Sequence, residues 1–232
     1  MLQVVILAGG LATRLYPITE KIPKSLVEVA GFPFIHHQLN YLKKQGIEEV
    51  VICLGYLGEL VEEFISKQSY GLNISFSYDG VKQLGTGGAL KNALNRLSDQ
   101  FFIIYGDSFL PIDYLKVYRA SVDNKGCAIM VIFKNNNKFD VSNVKKVTDD
   151  IIFYDKKSPG PDMKYIDYGL SIASKKMIED FKGGSSYDLS DLMHKISIEN
   201  KLIGFEVTER FYEIGSHNGL AETRAYFLKD GL

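Results

Sequence analysis

Up to Tyr105 the chain alternates short apolar runs with amphipathic stretches, and the runs tend to end in glycine. Residues 2–8 read as a buried strand, Val50 to Leu54 as a second, and Ile74 to Tyr78 alternates like a third. Phe101 to Tyr105 is a fourth, ending at Gly106-Asp107. Between them, residues 34–45 put Ile35, Leu39 and Leu42 on one helical face, with Gly46 as a stop. Leu57, Leu60, Val61, Phe64 and Ile65 follow the i, i+3, i+4, i+7, i+8 stripe of an amphipathic helix, and residues 88–97 predict another. A β-α-β-α-β-α-β order leaves few solutions, because parallel strands need crossovers and these cover both faces of the sheet. The expected fold class is α/β: a Rossmann-like, doubly wound, mostly parallel (mixed) sheet.

The second half is less regular. Residues 127–133, 143–147, 151–154 and 167–173 predict short strands, and 188–199 a helix. Gly204 to Val207 and Phe211 to Ile214 predict strands, and Ser216 caps a last helix reaching residue 228. The chain has no internal repeat, and its one Pro/Gly-rich stretch, residues 156–163, is too short for a domain linker. One domain over residues 1–232 is expected, with the later strands as a lid or side wall over the strand ends.

A chain of 232 residues can bury a substantial core in such a domain. A formal net charge of −1 argues against nucleic-acid binding through a basic face, so any phosphate must sit in a local pocket. Cys53 and Cys127 lie in or near apolar runs without CxxC or Cys/His spacing, which reads as reduced, buried thiols in a cytoplasmic protein. The N-terminal apolar stretch lacks a charged flank and ends in glycines, as a strand does and a signal peptide does not. No run approaches the roughly 20 apolar residues of a membrane span.

In an open α/β sheet, ligands sit beyond the carboxyl ends of the strands. Three segments fall there: Gly9-Gly10 through Arg14, Gly85-Thr86-Gly87-Gly88, and Gly106-Asp107. Bare glycines let backbone N–H groups approach a phosphate, and Arg14 and Lys24 add two fixed positive charges, one forked and one compact. Lys24 follows Pro23, which holds it in a defined extended segment. The glycines of Leu84 to Ala89 precede a helix whose N-terminus adds a positive dipole end. Asp107, at a strand end beside these phosphate features, is a natural Mg²⁺ ligand, and Glu213 could supply a second carboxylate from far along the chain. Such a site positions groups and balances charge, which is what nucleotidyl transfer chiefly requires.

These residues resemble the sugar-1-phosphate nucleotidylyltransferases, or nucleotide-sugar pyrophosphorylases. That family opens with a strand, then G-G-x-G-T-R-L-x-P-x-T, then P-K-x-L. Here the same places hold Gly9-Gly10-Leu11-Ala12-Thr13-Arg14-Leu15-Tyr16-Pro17-Ile18-Thr19 and Pro23-Lys24-Ser25-Leu26. Leu84-Gly85-Thr86-Gly87-Gly88-Ala89 is similar to the second nucleotide loop, in the form of the mannose- and heptose-1-phosphate guanylyltransferase branch. Gly106-Asp107 matches the metal-binding pair, Asp155-Lys156 the acidic-Lys pair, Tyr165 to Leu170 the sugar-lining strand, and Phe211 to Ser216 the W-x-D-x-G-T segment. Three departures stand out. Ala12 replaces a glycine, which negative φ would tolerate; Glu213 replaces an aspartate; and Gly80 falls where relatives place a base-reading Gln or Glu.

The resemblance implies a single-domain nucleotidyltransferase (GT-A-like) fold, with residues 1–110 as the nucleotide half and 111–232 as the sugar half. It implies transfer of a nucleoside monophosphate from an NTP to a sugar 1-phosphate with Mg²⁺ and release of pyrophosphate, guanine being the first choice of base. Leu7, Ala8, Gly9, Gly10, Thr13, Arg14, Gly85, Thr86 and Gly87 would bind the nucleotide, with Arg14 and Lys24 catalytic. Asp107 and Glu213 would hold the metal, and Asp155, Lys156, Asp167 and Gly169 the sugar phosphate. Neither a membrane nor a nucleic acid is expected as a partner, and a homo-oligomer is left open. Three alternatives stay in view. One is a nucleotide-sugar-binding protein without catalysis. Another is a uridylyl-, cytidylyl- or thymidylyltransferase acting on another phosphorylated acceptor. The third, a glycosyltransferase, would want Asp-x-Asp where this chain has Gly106-Asp107-Ser108.

Overall fold

A computed structural model describes residues 2–230. The first half gives β1 (Gln3–Ala8), β2 (Glu28–Val29), β3 (Phe32–Pro33), α1 (Phe34–Lys44), β4 (Glu49–Leu54), α2 (Gly58–Ser66), β5 (Asn73–Tyr78), α3 (Gly85–Asn92), β6 (Gln100–Tyr105) and β7 (Ser108–Phe109). The second half gives α4 (Tyr114–Asp123), β8 (Ala128–Lys134), β9 (Val144–Lys146), β10 (Ile152–Tyr154), β11 (Tyr165–Ser174), α5 (Lys175–Asp180), α6 (Leu189–Ile198), β12 (Leu202–Val207), β13 (Tyr212–Glu213) and α7 (His217–Asp230).

Strands β5-β4-β1-β6 run parallel in that order, with Val5 opposite Val51 on one side and Ile103 on the other. β11 then pairs antiparallel with β6, β8 antiparallel with β11, and β12 parallel with β8, so the sheet is mixed, as expected. Alternation along β1 sets the two core layers. Val4 and Ile6 pack with Ile35 and Leu39 of α1, Val61 of α2 and Val117 of α4. Val5 and Leu7 face the other way, onto Leu90 of α3, Ile178 of α5 and Leu192 of α6. Burying each such side chain contributes about 1.5–3 kcal/mol, which makes this register costly to slip.

A third apolar cluster joins Leu15, Val27, Val29 and Phe34 to Phe109, Ile214, Leu220 and Phe227. It ties the loop after β1 to α7, so sequence-distant ends of the chain meet beside the strand ends. Residues 114–123, for which apolar periodicity predicts no element, form α4: Asp113 caps it through Lys116 N–H, and exposed Leu115 and Val122 blur its buried stripe. No helix among the described residues is long and apolar enough to cross a membrane.

Candidate active site

The parallel strands end on one edge, where a cavity of about 340 Å³ opens. Leu7, Ala8, Gly9 and Gly10 form one wall, with Asp79 and Gln83 beyond β5 and Gly85 and Thr86 opposite. The N–H groups of Gly10 and Leu11 have no acceptor among the described residues, and nothing lies within 4 Å of where a Cβ on Gly10 would stand. Ala12 corrects the sequence reading, which tolerated it on the condition of negative φ: its φ is +53°. The turn holds this left-handed residue because Ala12 O accepts from Thr19 Oγ1 at 2.8 Å and from Leu15 N–H, and Leu15 is fully buried. Thr13 starts the short helical turn that follows; it is exposed and lines neither cavity described here.

The second glycine segment also differs from expectation. Residues 85–88 are not a loop ahead of a helix but the first turn of α3 itself. The N–H groups of Gly87 and Gly88 both donate to Tyr187 O, at 2.9 and 3.1 Å, and a Cβ on Gly87 would run into the Tyr187 ring. Thr86 Oγ1 accepts from Leu189 N–H and donates to Asp188, the residue before α6. This helix start is docked on protein, leaving Gly85 and Thr86 at the cavity and Gly87 behind it.

Across the edge the charged groups gather. Lys24 Nζ lies 2.8 Å from Asp107 Oδ2. Gln38 of α1 donates to the carbonyls of Tyr105 and Ser108, at 2.9 and 2.7 Å, which pins the turn carrying Asp107. Pairing of β7 with β13 sets Glu213 opposite Ser108, and Ile214 N–H donates to Asp107 O. A Cβ on Gly215 would sit 2.7 Å from Glu213 Oε2, 3.2 Å from Asp107 Oδ2 and 3.3 Å from Arg14 Nη2. One cation and two carboxylates thus surround a glycine that leaves room between them. Glu213 is itself oriented by Gly215 N–H and by Ser216 Oγ.

A second cavity, of about 620 Å³, meets the first at Tyr105 and Asp107. Arg14 opens onto this one, as do Lys156, Asp167 and Gly169. The register of β11 shifts between Asp167 and Ser171, and this bulge turns Asp167 and Gly169 (φ +94°) toward the space. Burial pushes the Asp167 carboxyl up, against the pull of the Gly169 N–H and Lys156. Asp155, expected near the sugar, lines neither cavity described here; its Oδ1 takes the N–H groups of Lys157 and Ser158 and shapes the turn that carries Lys156.

Several lining residues had no motif to announce them. Asp79 faces the first cavity with only a long bond from Leu84 N–H, and burial raises its pKa. Ser25, next to Lys24, has a buried hydroxyl with no partner and lines the same space. Isolated Asp and Gln carry no periodic or spacing signal, and Ser25 falls at the unspecified place of P-K-x-L, so only the structure singles them out.

A model of the family described as nucleotidyl transferase matches residues 3–148. D-glycero-alpha-D-manno-heptose 1-phosphate guanylyltransferase of Campylobacter jejuni is 29% identical over 216 residues, 92% of this chain and 95% of that protein. N-acetylmuramate alpha-1-phosphate uridylyltransferase of Neisseria meningitidis is 27% identical over 228 residues, 97% of each chain. The crystal structure of HddC from Yersinia pseudotuberculosis superposes with a TM-score of 0.83 at 27% identity, covering 98% of this chain and 100% of that one. A second HddC structure, complexed with GMP-PN, gives 0.79. A match through more than half of the chain, over the strands, glycine turns and acidic strand end just described, makes this protein a member of the nucleotidyl transferase family.

Proposed function

We propose that this nucleotidyltransferase moves GMP from GTP to a sugar 1-phosphate of the hexose or heptose type, releasing pyrophosphate. The observation that carries the reading is the gathering of Arg14, Lys24, Asp107 and Glu213 at the border of two cavities. In-line displacement at phosphorus needs a nucleophile and a leaving group on opposite sides of one α-phosphate. The smaller cavity takes the triphosphate on the free amides after β1, and the larger one delivers the sugar phosphate past Lys156. Arg14 and Lys24 neutralise charge that grows on the α-phosphate oxygens and the departing pyrophosphate. Lys24 stays with Asp107 until a phosphate competes for it.

Asp107 and Glu213 fit Mg²⁺, which takes one or two carboxylates and leaves its other positions to phosphate and water. Among the described residues no group of three potential ligand side chains forms a closed cage, in keeping with a metal shared with the nucleotide. When bound, Mg²⁺ would supply charge compensation at the α-phosphate. Guanine is favoured by Asp79, because guanine alone presents two adjacent N–H donors on its Watson–Crick edge, which a carboxylate accepts. Uracil would turn carbonyl oxygens toward the same group. A cytoplasmic setting belongs to the same proposal.

Five NTPs crossed with a panel of sugar 1-phosphates, read by pyrophosphate release with Mg²⁺, test it. GTP with mannose or manno-heptose 1-phosphate should give the signal. Sugar-independent hydrolysis, or no pyrophosphate from any pair, would sink the reading.

A further inference from the structure

Among the described residues only Tyr105 and Asp107 line both cavities. Asp107 has a part in the chemistry proposed above, and Tyr105 has none. Tyr105 is the last residue of β6, and Gln38 holds its carbonyl. Alternation along the strand sends its side chain the way of Phe101 and Ile103, onto the layer shared with Leu90 of α3 and Leu192 of α6. On β11, a Cβ on Gly169 would stand 3.6 Å from Tyr105 Cδ2, so the ring is held from that side as well. The hydroxyl is not held. It makes no hydrogen bond among the described residues, yet it is not sealed in the core as the partnerless hydroxyls of Tyr168 and Tyr187 are.

The surroundings limit what this hydroxyl can do. Burial raises the phenol well above its usual range, and the carboxylates of Asp167, Asp107 and Asp188 raise it further. It therefore stays protonated at neutral pH, a donor and not a nucleophile or base. Those three carboxylates also mark its position, since Asp167 lines the larger cavity, Asp188 the smaller and Asp107 both. A phosphate moving from the larger cavity to meet one in the smaller passes between Tyr105 and Asp107. Of the two, only Tyr105 has a hydrogen to give it, because a carboxylate turns only acceptors toward a phosphate.

We infer that Tyr105 is a catalytic residue whose O–H donates a hydrogen bond to the incoming sugar phosphate, aiming it at the α-phosphorus of the nucleotide. This rests on the nucleotidyl-transfer reading above. The phenol keeps its proton throughout: a sugar-phosphate oxygen bonds to the α-phosphorus as the bond to pyrophosphate breaks. The sugar phosphate becomes the β-phosphate of the product, so the same hydrogen bond should hold the NDP-sugar and be missing with GTP alone.

Tyr105→Phe keeps the ring and removes the donor. The test uses GTP, Mg²⁺ and whichever of mannose or manno-heptose 1-phosphate gives the stronger pyrophosphate signal, with the matching GDP-sugar as product. The variant should lose about tenfold to a hundredfold in kcat/KM for the sugar 1-phosphate, the loss expected for one hydrogen bond to a charged group. By calorimetry, GDP-sugar should bind it about tenfold more weakly, while GTP alone binds as before. Its melting temperature should hold, because the hydroxyl has no partner in the fold to lose. Transfer as fast as that of the unmutated enzyme overturns the inference. So does GTP binding that weakens as much as GDP-sugar binding, which would confine Tyr105 to the nucleotide, or a melt that falls along with activity, which would make its role structural. In each of those cases nucleotidyl transfer by the unmutated enzyme still stands. An unmutated enzyme that releases no pyrophosphate from any pair and binds no GDP-sugar overturns both readings together.

Discussion

The loop after β1 and the first turn of α3 carry similar letters, Ala8-Gly9-Gly10-Leu11 and Gly85-Thr86-Gly87-Gly88, and both border the smaller cavity. Their backbones face different partners. Gly10 leaves its amide without an acceptor and its missing side chain in open space. Gly87 gives its amide to Tyr187 O and its space to the Tyr187 ring. A glycine reports that a Cβ is unwelcome; it does not report whether a ligand or the protein occupies the place. The first segment leaves its amides free at the cavity, and the second locks α3 to the Tyr187 segment that leads into α6, so that the cavity has a firm far wall.

The sharpest way to break this contrast is at the open loop's own cation. Arg14→Ala should cost on the order of 3 kcal/mol of barrier, about a hundredfold in kcat, with thermal unfolding little changed because Arg14 is exposed. Turnover near that of the unmutated enzyme would remove Arg14 from the chemistry. Next comes Asp79, whose Oδ2 lies 3.3 Å from where a Cβ on Gly9 would stand. Asp79→Asn should lower kcat/KM for GTP by roughly tenfold to a hundredfold and raise that for XTP, because xanthine has a carbonyl where guanine has its amino group. Unchanged GTP/XTP selectivity would take Asp79 away from the base.

The glycines themselves give the direct comparison. Gly87→Ala should lower stability by about 1–3 kcal/mol, several degrees of melting temperature, through overpacking against Tyr187. Gly10→Ala should leave the melt almost unchanged and instead raise KM for GTP, as the methyl group crowds the triphosphate. If both variants lose stability alike and bind GTP alike, the two segments do not divide the work. The smallest effect is expected at Ala12→Gly, which relieves a left-handed alanine at φ +53°. Relief of about 1 kcal/mol is partly offset by the greater freedom of glycine in the unfolded chain, so chemical denaturation should show a gain below about 1 kcal/mol.

Much of the fold is legible because its signals are local. Val4 to Leu7, Val50 to Leu54 and Phe101 to Tyr105 are uninterrupted apolar runs of a sheet buried on both faces, and such runs read clearly. Helix α4 hides because Leu115 and Val122 point outward, and the start of α3 hides because glycine is a poor helix former whose amides here are satisfied from outside the helix. The site divides in the same way. Arg14, Lys24 and Asp107 are visible as chemistry-bearing types beside glycine or proline. Asp79 and Gln38 are isolated letters: Gln38 takes its role from the distant carbonyls of Tyr105 and Ser108, and Asp79 from the cavity wall that the fold gives it.

From residue order alone come the α/β layering, the strand ends where ligands gather, and the types of group available there, since each depends on neighbours within a few residues. Which of those groups meet was decided only in three dimensions. The β7–β13 pairing carries Glu213 to Asp107, Tyr187 closes over Gly87, and the β11 bulge, set against β8, turns Asp167 inward. Those outcomes hang on contacts between segments remote in sequence, and their energies arise only once the chain has folded back on itself.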